Sequence, residues 1–157
     1  MKLNDYEFVE VAGIDSEKDC NGEIIGYNPK DKYKKKETLK LNAYGNLTFC
    51  NFKIPKHSNK SGVYFLFETD NDSPLYIGQA INFDKRWGRT NYAHISPRNC
   101  YVGGQSTNCH INHYIYKKIK EGAHLKLYFY ETPYYKRIED ELIRKYKPEL
   151  NVQKNKI

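Results

Sequence analysis

Three stretches of the chain have the length and apolar content of β-strands: residues 62–67, 75–78 and 124–130. Residues 69–74 read Thr-Asp-Asn-Asp-Ser-Pro, a turn-forming sequence that joins the first two strands as a hairpin. Gly78 ends the second strand, where its permissive backbone torsions let another backbone or a phosphate approach. We therefore expect an antiparallel pair that places Tyr64 and Tyr76 close together on one small sheet.

Amphipathic helices are predicted in three further stretches by apolar residues spaced three or four positions apart. These stretches are residues 82–91, 107–122 and about 133–147. Asn82 is suited to cap the first helix, in which Phe83 and Trp87 form an apolar stripe with Arg86 at its edge. This pattern places the arginine near the core without burying it.

The order of these elements, β-β-α-α-β-α, is typical of a small α+β domain. We expect a mostly antiparallel three-stranded sheet flanked by helices at residues 61–153. Residues 1–60 form an N-terminal extension that supplies a DNA-binding arm or added strands.

The composition makes this domain basic. The 157-residue chain has 26 Lys and Arg residues against 19 Asp and Glu, which gives a formal net charge of +7. Such an excess favours a polyanionic partner such as nucleic acid, and a lysine-rich solvated surface explains it equally well. The basic run Lys32, Lys34, Lys35 and Lys36 has no apolar periodicity and predicts an exposed loop or arm.

No apolar run approaches the roughly 18 residues that a membrane span requires. The N-terminal residues also lack the apolar stretch of a secretory signal. The sequence therefore predicts a cytoplasmic protein without a membrane partner.

The chain has four cysteines, none of them in a Cys-x-x-Cys pair. Without a secretory signal, this pattern predicts reduced thiols rather than a disulfide framework. A zinc site is the alternative, because Cys109 and His113 are spaced i, i+4, with Cys100, His110 and His94 nearby in sequence. Structural zinc sites usually contain closer ligand pairs, so zinc is the less favoured interpretation.

Three adjacent acids, Glu139, Asp140 and Glu141, lie in the last predicted helix. With about 100° between successive residues, Glu139 falls in the middle of the apolar stripe, and Asp140 and Glu141 turn toward solvent. A carboxylate that points inward requires a metal, a cation or strong hydrogen bonds. Glu139 is therefore either a buried acid paired with Arg or Tyr, or a metal ligand.

Short motifs around these residues resemble the GIY-YIG nuclease domain. Residues 62–64 read Gly-Val-Tyr and residues 76–78 read Tyr-Ile-Gly, which match the two motifs that name the family. The helix with Arg86 follows the second motif, and Glu139 is followed at residues 148–151 by Pro-Glu-Leu-Asn. The resemblance covers about three-fifths of the chain.

The resemblance implies a divalent-metal-dependent endonuclease, of restriction or mobile-element type, that cleaves double-stranded DNA to 5′-phosphate and 3′-hydroxyl ends. By resemblance, Glu139 holds one Mg²⁺ or Mn²⁺ ion. Tyr64 orients or deprotonates the attacking water, Tyr76 supports it by hydrogen bonding, and Arg86 contacts the scissile phosphate. His94, which follows the arginine helix, is the candidate for a further proton acceptor.

DNA contacts outside the reaction centre are expected from the lysine run and from an insert at residues 95–109 that the minimal family domain lacks. Both supply groups able to contact phosphates or base edges. The candidates are Lys32, Lys34, Lys35, Lys36, Arg98, Asn99, Gln105 and Asn108. Asn99 and Asn108 are explained equally well as loop and helix-cap residues.

Two other functions fit the same motifs. One is a DNA-binding module without catalysis, and the other is a structure-specific repair nuclease. The excinuclease group of the family usually has lysine where this chain has Gln79. The oligomeric state is left open by the sequence, with a homodimer among the options.

Overall fold

The computed structural model describes residues 1–89 and 91–151, so the predicted domain end at residue 153 lies outside the described residues. The described part is an α+β structure with antiparallel sheets. Its strands are β1 (Lys2–Leu3), β2 (Tyr6–Glu7), β3 (Val9–Gly13), β4 (Gly26–Tyr27), β5 (Phe49–Cys50), β6 (Gly62–Glu68), β7 (Tyr76–Ala80) and β8 (Leu125–Glu131). Its helices are α1 (Phe83–Arg86), α2 (Ser106–Lys120) and α3 (Tyr135–Tyr146), with 3₁₀ turns at Lys30–Lys32 and Pro97–Cys100. No helix within these residues is long and apolar enough to cross a membrane.

The described chain divides into two compact units, each assembled from segments that are distant in sequence. Unit 1 contains Met1–Ile14, Ile54–Arg86 and the described residues from Ala123 onward, and it holds the larger sheet. Unit 2 contains Asp15–Lys53 and Trp87–Gly122, with α2 and the small sheet of β4 and β5.

Unit 1 is built on a four-stranded sheet in the order β3-β8-β6-β7, with every neighbouring pair antiparallel. The prediction of a three-stranded sheet is therefore wrong in strand number. The additional strand β3 comes from the N-terminal region, with Val9 opposite Phe129 of β8. Because β3 is an edge strand whose Val9 and Glu10 are exposed, its sequence lacks the apolar run that marks the inner strands.

The predicted hairpin is confirmed as β6 and β7, and its register decides which side chains share a face. Tyr64 lies opposite Gly78, and Leu66 lies opposite Tyr76. Directly opposed residues in an antiparallel pair project from the same face, and side chains alternate along each strand. Tyr64 and Tyr76 are therefore diagonal neighbours on one face, hereafter the tyrosine face.

The other face of the sheet is covered by α3. Val63, Phe65 and Ile77, which alternate with the tyrosine-face residues, form one buried cluster with Ile138 and Leu142 of this helix. Burial of each such side chain contributes about 1.5–3 kcal/mol. Strand β6 is buried along most of its length because both of its faces are covered, which explains its continuous apolar sequence.

The helix that carries Arg86 is much shorter than predicted. Asn82 caps α1 as expected, since its Oδ1 accepts a hydrogen bond from the backbone N of Lys85 at 3.0 Å. The helix ends at Arg86 rather than at 91, and the backbone N of Asn91 closes a turn onto Gly88. Gly88 costs a helix about 1 kcal/mol relative to alanine, which favours the early end. Residue 90 of the predicted helix lies outside the described residues.

The other two helices agree with the sequence prediction to within a few residues. In α2, Ile111 and Ile115 are fully buried, and Gly122 follows the helix with φ +91°. Lys147 ends α3 in the left-handed conformation, and Pro148 prevents further helical turns. Both ends are therefore determined locally.

Unit 2 has its own small core, which joins the paired strands β4 and β5 to α2. Asn112 of α2 is completely buried, and its amide bonds the backbone N and O of Cys50 and the carbonyl of Tyr92. One side chain thus holds three backbone groups, two on strand β5 and one on the loop that contains Tyr92. Strands β4 and β5 are only two residues long each.

Candidate active site

Three of the sequence-predicted residues meet on the tyrosine face of unit 1. The Nε group of Arg86 donates a hydrogen bond to the hydroxyl oxygen of Tyr64 across 3.5 Å. The rings of Tyr64 and Tyr76 have centroids 6.3 Å apart and planes inclined by 45°. The hairpin register and the short α1 that follows β7 bring a guanidinium and two phenols together.

Gly78 makes room for this cluster. A Cβ atom at position 78 would lie 2.5 Å from Cζ and 2.6 Å from Cε2 of Tyr64, and closer still to its hydroxyl oxygen. The expectation that Gly78 ends its strand is wrong, because it lies inside β7. What approaches it is the ring of Tyr64 rather than a backbone or a phosphate, so the glycine in the second motif positions the tyrosine of the first.

The three groups differ in their exposure. Tyr64 has no exposed surface and Tyr76 is 9% exposed, whereas Arg86 is half-buried. Phe83 of α1 packs edge-on against Tyr64 with centroids 6.3 Å apart. Arg86 is therefore the member of the cluster that is most accessible from solvent.

Glu139 is contributed by α3 and is 4% exposed. The prediction that it points inward is confirmed, and Asp140 is exposed as expected. The apolar residues of α3 pack against the sheet face opposite the tyrosine face. The helix that carries Glu139 therefore packs against the sheet face opposite Tyr64 and Tyr76.

The neighbouring Glu141 has a structural role that its sequence position did not reveal. It accepts hydrogen bonds from the Asn4 amide at 2.6 Å and from the Tyr6 hydroxyl at 3.0 Å. Burial and this hydrogen bond to Glu141 raise the pKa of the Tyr6 phenol. Glu141 is half-buried rather than turned to solvent, and it fastens the β1–β2 hairpin to α3.

Asn151, the last residue of the Pro-Glu-Leu-Asn segment, completes the outer edge of the sheet. Its amide accepts a hydrogen bond from the backbone N of Ile77 at 3.0 Å and donates one to the Ile77 carbonyl at 2.7 Å. The backbone N of Leu150 also donates to the carbonyl of Leu75. The side chain of Asn151 takes the place of a neighbouring strand beside Tyr76.

The donor chemistry of Glu139 fits a magnesium ion. Among the described residues no group of three or more His, Cys, Asp or Glu is arranged to hold a metal. Magnesium is usually bound through one or two carboxylates, together with water and phosphate oxygens, and needs no such group. One inward-pointing carboxylate is the kind of ligand that this coordination requires.

His94, predicted as a further proton acceptor, belongs to unit 2. Its Nδ1 lies 2.5 Å from Oδ1 of Asn51, and its ring stacks on Tyr27 with centroids 5.3 Å apart. Because an amide oxygen only accepts, this contact places the proton on Nδ1 and leaves Nε2 as an acceptor. Burial, followed by the charge of Arg89, lowers the pKa of His94 and favours its neutral form.

The lysine run and the insert form one surface of unit 2. All four candidates of the run, Lys32, Lys34, Lys35 and Lys36, are exposed as predicted. Arg98 of the insert places its guanidinium over the ring of Tyr33, 5.6 Å from the centroid. Asn42, beyond the run, donates from its side chain to the carbonyl of Asn99. The two regions predicted to contact DNA are thus neighbours.

The insert candidates differ in what they present to solvent. Gln105 is exposed, whereas Asn99 is 8% exposed and uses its Oδ1 to accept from the backbone N of Gln105. Asn108 is 1% exposed, and its amide has no hydrogen-bond partner among the described residues. The burial of both asparagines favours their interpretation as loop and helix-start residues.

The cysteines are all free thiols. Cys20 is exposed and the other three are buried, and burial raises the pKa of Cys50 to about 12. The members of the zinc alternative engage other groups: Cys109 donates to the carbonyl of Asn99, and His113 contacts the carbonyl of Thr48.

A loop immediately before β6 was missed by sequence reasoning. Asp84, in the first turn of α1, accepts hydrogen bonds with its Oδ1 from the backbone N of His57 and of Ser58. The available signal was the polar sequence His-Ser-Asn-Lys at residues 57–60, which stands directly before the first motif.

Comparisons of this chain with protein-family models, with curated proteins and with solved structures find no match.

Proposed function

We propose that this protein is a Mg²⁺- or Mn²⁺-dependent endonuclease of the GIY-YIG type that hydrolyses phosphodiester bonds in double-stranded DNA, in restriction or in a mobile element. The observation that carries the proposal is the contact of Arg86 with Tyr64 beside Tyr76. A guanidinium binds the anionic phosphate, and a phenol next to it is placed to act on the attacking water. The basic net charge of +7 supports a polyanionic substrate.

Arg86 has two tasks in this mechanism. Its Nε donates to the hydroxyl of Tyr64, and its guanidinium is the group that binds oxygens of the scissile phosphate. The attraction grows as negative charge develops on the phosphate in the transition state. Arg86 therefore contributes more to the rate than to the affinity for DNA.

Tyr64 acts on the water that attacks the phosphorus. Its hydroxyl, held by the guanidinium of Arg86, orients or deprotonates that water. Tyr76 supports the same water by hydrogen bonding. Glu139 is the residue that would hold a Mg²⁺ or Mn²⁺ ion, which would supply Lewis-acid stabilisation of the leaving 3′-oxygen.

The burial of this site sets two requirements for the mechanism. Tyr64 has no exposed surface, so its hydroxyl meets a water only if the groups that cover it move when DNA binds. Glu139 has to act at the edge of the sheet, where α3 packs against the outermost strand β7. Both requirements favour an active site that reaches its working arrangement only when DNA binds.

The decisive experiment is incubation of the purified protein with supercoiled plasmid in Mg²⁺ or Mn²⁺, with a parallel reaction in EDTA. The expected result is conversion to nicked or linear DNA only when the metal is present. Nicks with 5′-phosphate and 3′-hydroxyl ends are resealed by DNA ligase without further treatment, which tests the predicted products. DNA binding without cleavage in either metal would contradict the proposal and favour the non-catalytic module.

A further inference from the structure

Unit 1 contains a second polar feature, an open cleft of 690 Å³ at the loop before β6. We call it the lysine groove. Its charged and titratable lining consists of Lys56, His57, Lys60, Asp84, Lys85 and Glu131. The groove contains more cationic than anionic side chains, and none of them is a candidate residue of the active site.

The anionic groups of the groove are engaged within the protein. Asp84 accepts hydrogen bonds from the backbone N of His57 at 2.7 Å and of Ser58 at 3.0 Å. Glu131 accepts from the hydroxyl of Ser58 at 2.8 Å. In contrast, the ammonium groups of Lys56 and Lys60 form no hydrogen bond or ion pair with any described residue, and both side chains are exposed. Their positive charge is available to a ligand.

The loop that presents these lysines is held in place before any ligand binds. The side chain of Asp84 holds the loop backbone through the two hydrogen bonds described above. The helix backbone also donates to the loop: the backbone N of Phe83 donates to the carbonyl of Lys60, and the backbone N of Asp84 donates to the carbonyl of Ser58. Loop and helix thus exchange hydrogen bonds in both directions. A preorganised loop loses little conformational entropy on binding, so more of the interaction energy appears as affinity.

The groove is continuous with the tyrosine face. The ring of His57 packs edge-on against Phe83 and Phe129, with centroids 5.9 Å and 5.8 Å away. Phe83 in turn packs against Tyr64. Lys85 lines the groove and the next residue, Arg86, contacts Tyr64, so one short helix contributes to both.

We propose that the lysine groove binds the DNA backbone beside the scissile phosphate, so that the strand held at Arg86 continues past Lys85, Lys60 and Lys56. This inference rests on the proposed function and names where its substrate lies on unit 1. Lysine contacts of this kind neutralise phosphates and fix the register of the duplex without reading its sequence. Asp84 is a positioning residue, because it acts on DNA through the loop that it holds.

The first test compares Lys56→Ala/Lys60→Ala with a matched control, Lys2→Ala/Lys136→Ala. The control removes the same charge from exposed lysines of unit 1, on β1 and on the helix that covers the opposite sheet face. Affinity for a short DNA duplex is measured by fluorescence anisotropy over a salt series without divalent metal. Each lost phosphate contact flattens the slope of log K against log salt by about 0.9, so the groove variant is expected to lose about 2 units and the control none.

The second test separates positioning from charge. Asp84→Asn and Asp84→Ala remove the same negative charge, but only asparagine keeps an oxygen that accepts from His57 and Ser58. We expect the alanine variant to bind DNA at least about threefold more weakly than the asparagine variant, which corresponds to roughly 0.7 kcal/mol. Equal affinities, or tighter binding by the alanine variant, would show that Asp84 has no positioning role.

The outcomes distinguish this inference from the nuclease proposal. Suppose that the protein binds the duplex but the salt slope is unchanged in Lys56→Ala/Lys60→Ala, or falls equally in the control. Either result overturns the proposal that the lysine groove binds DNA and leaves the nuclease proposal untouched. The expected slope loss in a protein that cleaves no plasmid supports the groove and overturns the nuclease. A wild-type protein that binds no duplex overturns both.

Discussion

Replacing Glu139 and Glu141 separately by glutamine tests the candidate site most directly. The two substitutions make the same chemical change two residues apart on one helix. Glu139 is 4% exposed in the apolar stripe of α3, whereas Glu141 accepts hydrogen bonds from Asn4 and Tyr6. We expect Glu139→Gln to abolish cleavage without weakening DNA binding, and Glu141→Gln to leave the cleavage rate near that of the wild type.

The expected magnitudes follow from what each carboxylate does. In the proposed mechanism Glu139→Gln removes the metal ligand and with it Lewis-acid stabilisation worth several kcal/mol, so we expect at least about a 10³-fold fall in rate, or roughly 4 kcal/mol. Glutamine at 141 keeps one acceptor oxygen and loses a charge-assisted hydrogen bond. For a half-buried group this costs about 1 kcal/mol of unfolding free energy, equivalent to a Tm lower by about 3 °C.

Three measurements separate these effects. Plasmid nicking under single-turnover conditions gives the rate, anisotropy gives DNA affinity, and thermal unfolding gives Tm for each variant. Equal loss of cleavage in the two variants would refute the assignment of Glu139 from its burial. A Tm unchanged by Glu141→Gln would refute the role of Glu141 in holding the N-terminal hairpin.

Three further substitutions test other parts of the site. Arg86→Ala is expected to lower the cleavage rate by more than about 10²-fold with only a modest change in DNA affinity, since its attraction grows in the transition state, and a near-wild-type rate would contradict this role. Gly78→Ala forces a Cβ into the ring of Tyr64 and should abolish cleavage. The control is Gly13→Ala, which should leave the cleavage rate unchanged because the atom nearest to its Cβ is 3.8 Å away. Equal cleavage rates in the two variants would show that the position of the Tyr64 ring is unimportant. Alanine at every lysine of the exposed run should flatten the salt slope by up to about one unit per lost contact and preserve sequence preference, and an unchanged slope would make the run a solvated loop. The run consists of Lys32, Lys34, Lys35 and Lys36.

Local pattern was sufficient to predict several features of this chain. The apolar runs around Tyr64 and Tyr76 and the turn between them predicted the hairpin, because a strand pair joined by a short loop is encoded by adjacent residues. The inward direction of Glu139 followed from the 3.6-residue period of its own helix. Glycine and proline likewise marked the ends of α2 and α3.

The remaining features depend on residues that are distant in sequence. Added strands were expected in the N-terminal region, but the place of β3 in the larger sheet was not predicted, because β3 pairs with β8 more than a hundred positions away. Asn151 bonds Ile77, and Glu141 bonds Asn4, through groups that no local period relates.

The sequence by itself determined the candidate residues and the secondary structure that most of them occupy. Only the tertiary structure decided that Tyr64 rests on Gly78, that α3 lies on the sheet face opposite the tyrosines, and that Asp84 holds a lysine loop. The period of apolar residues predicts which face of a segment is buried. It does not predict which distant segment packs against that face. Side-chain packing and long-range hydrogen bonds determine which distant segments contact each other in the folded chain.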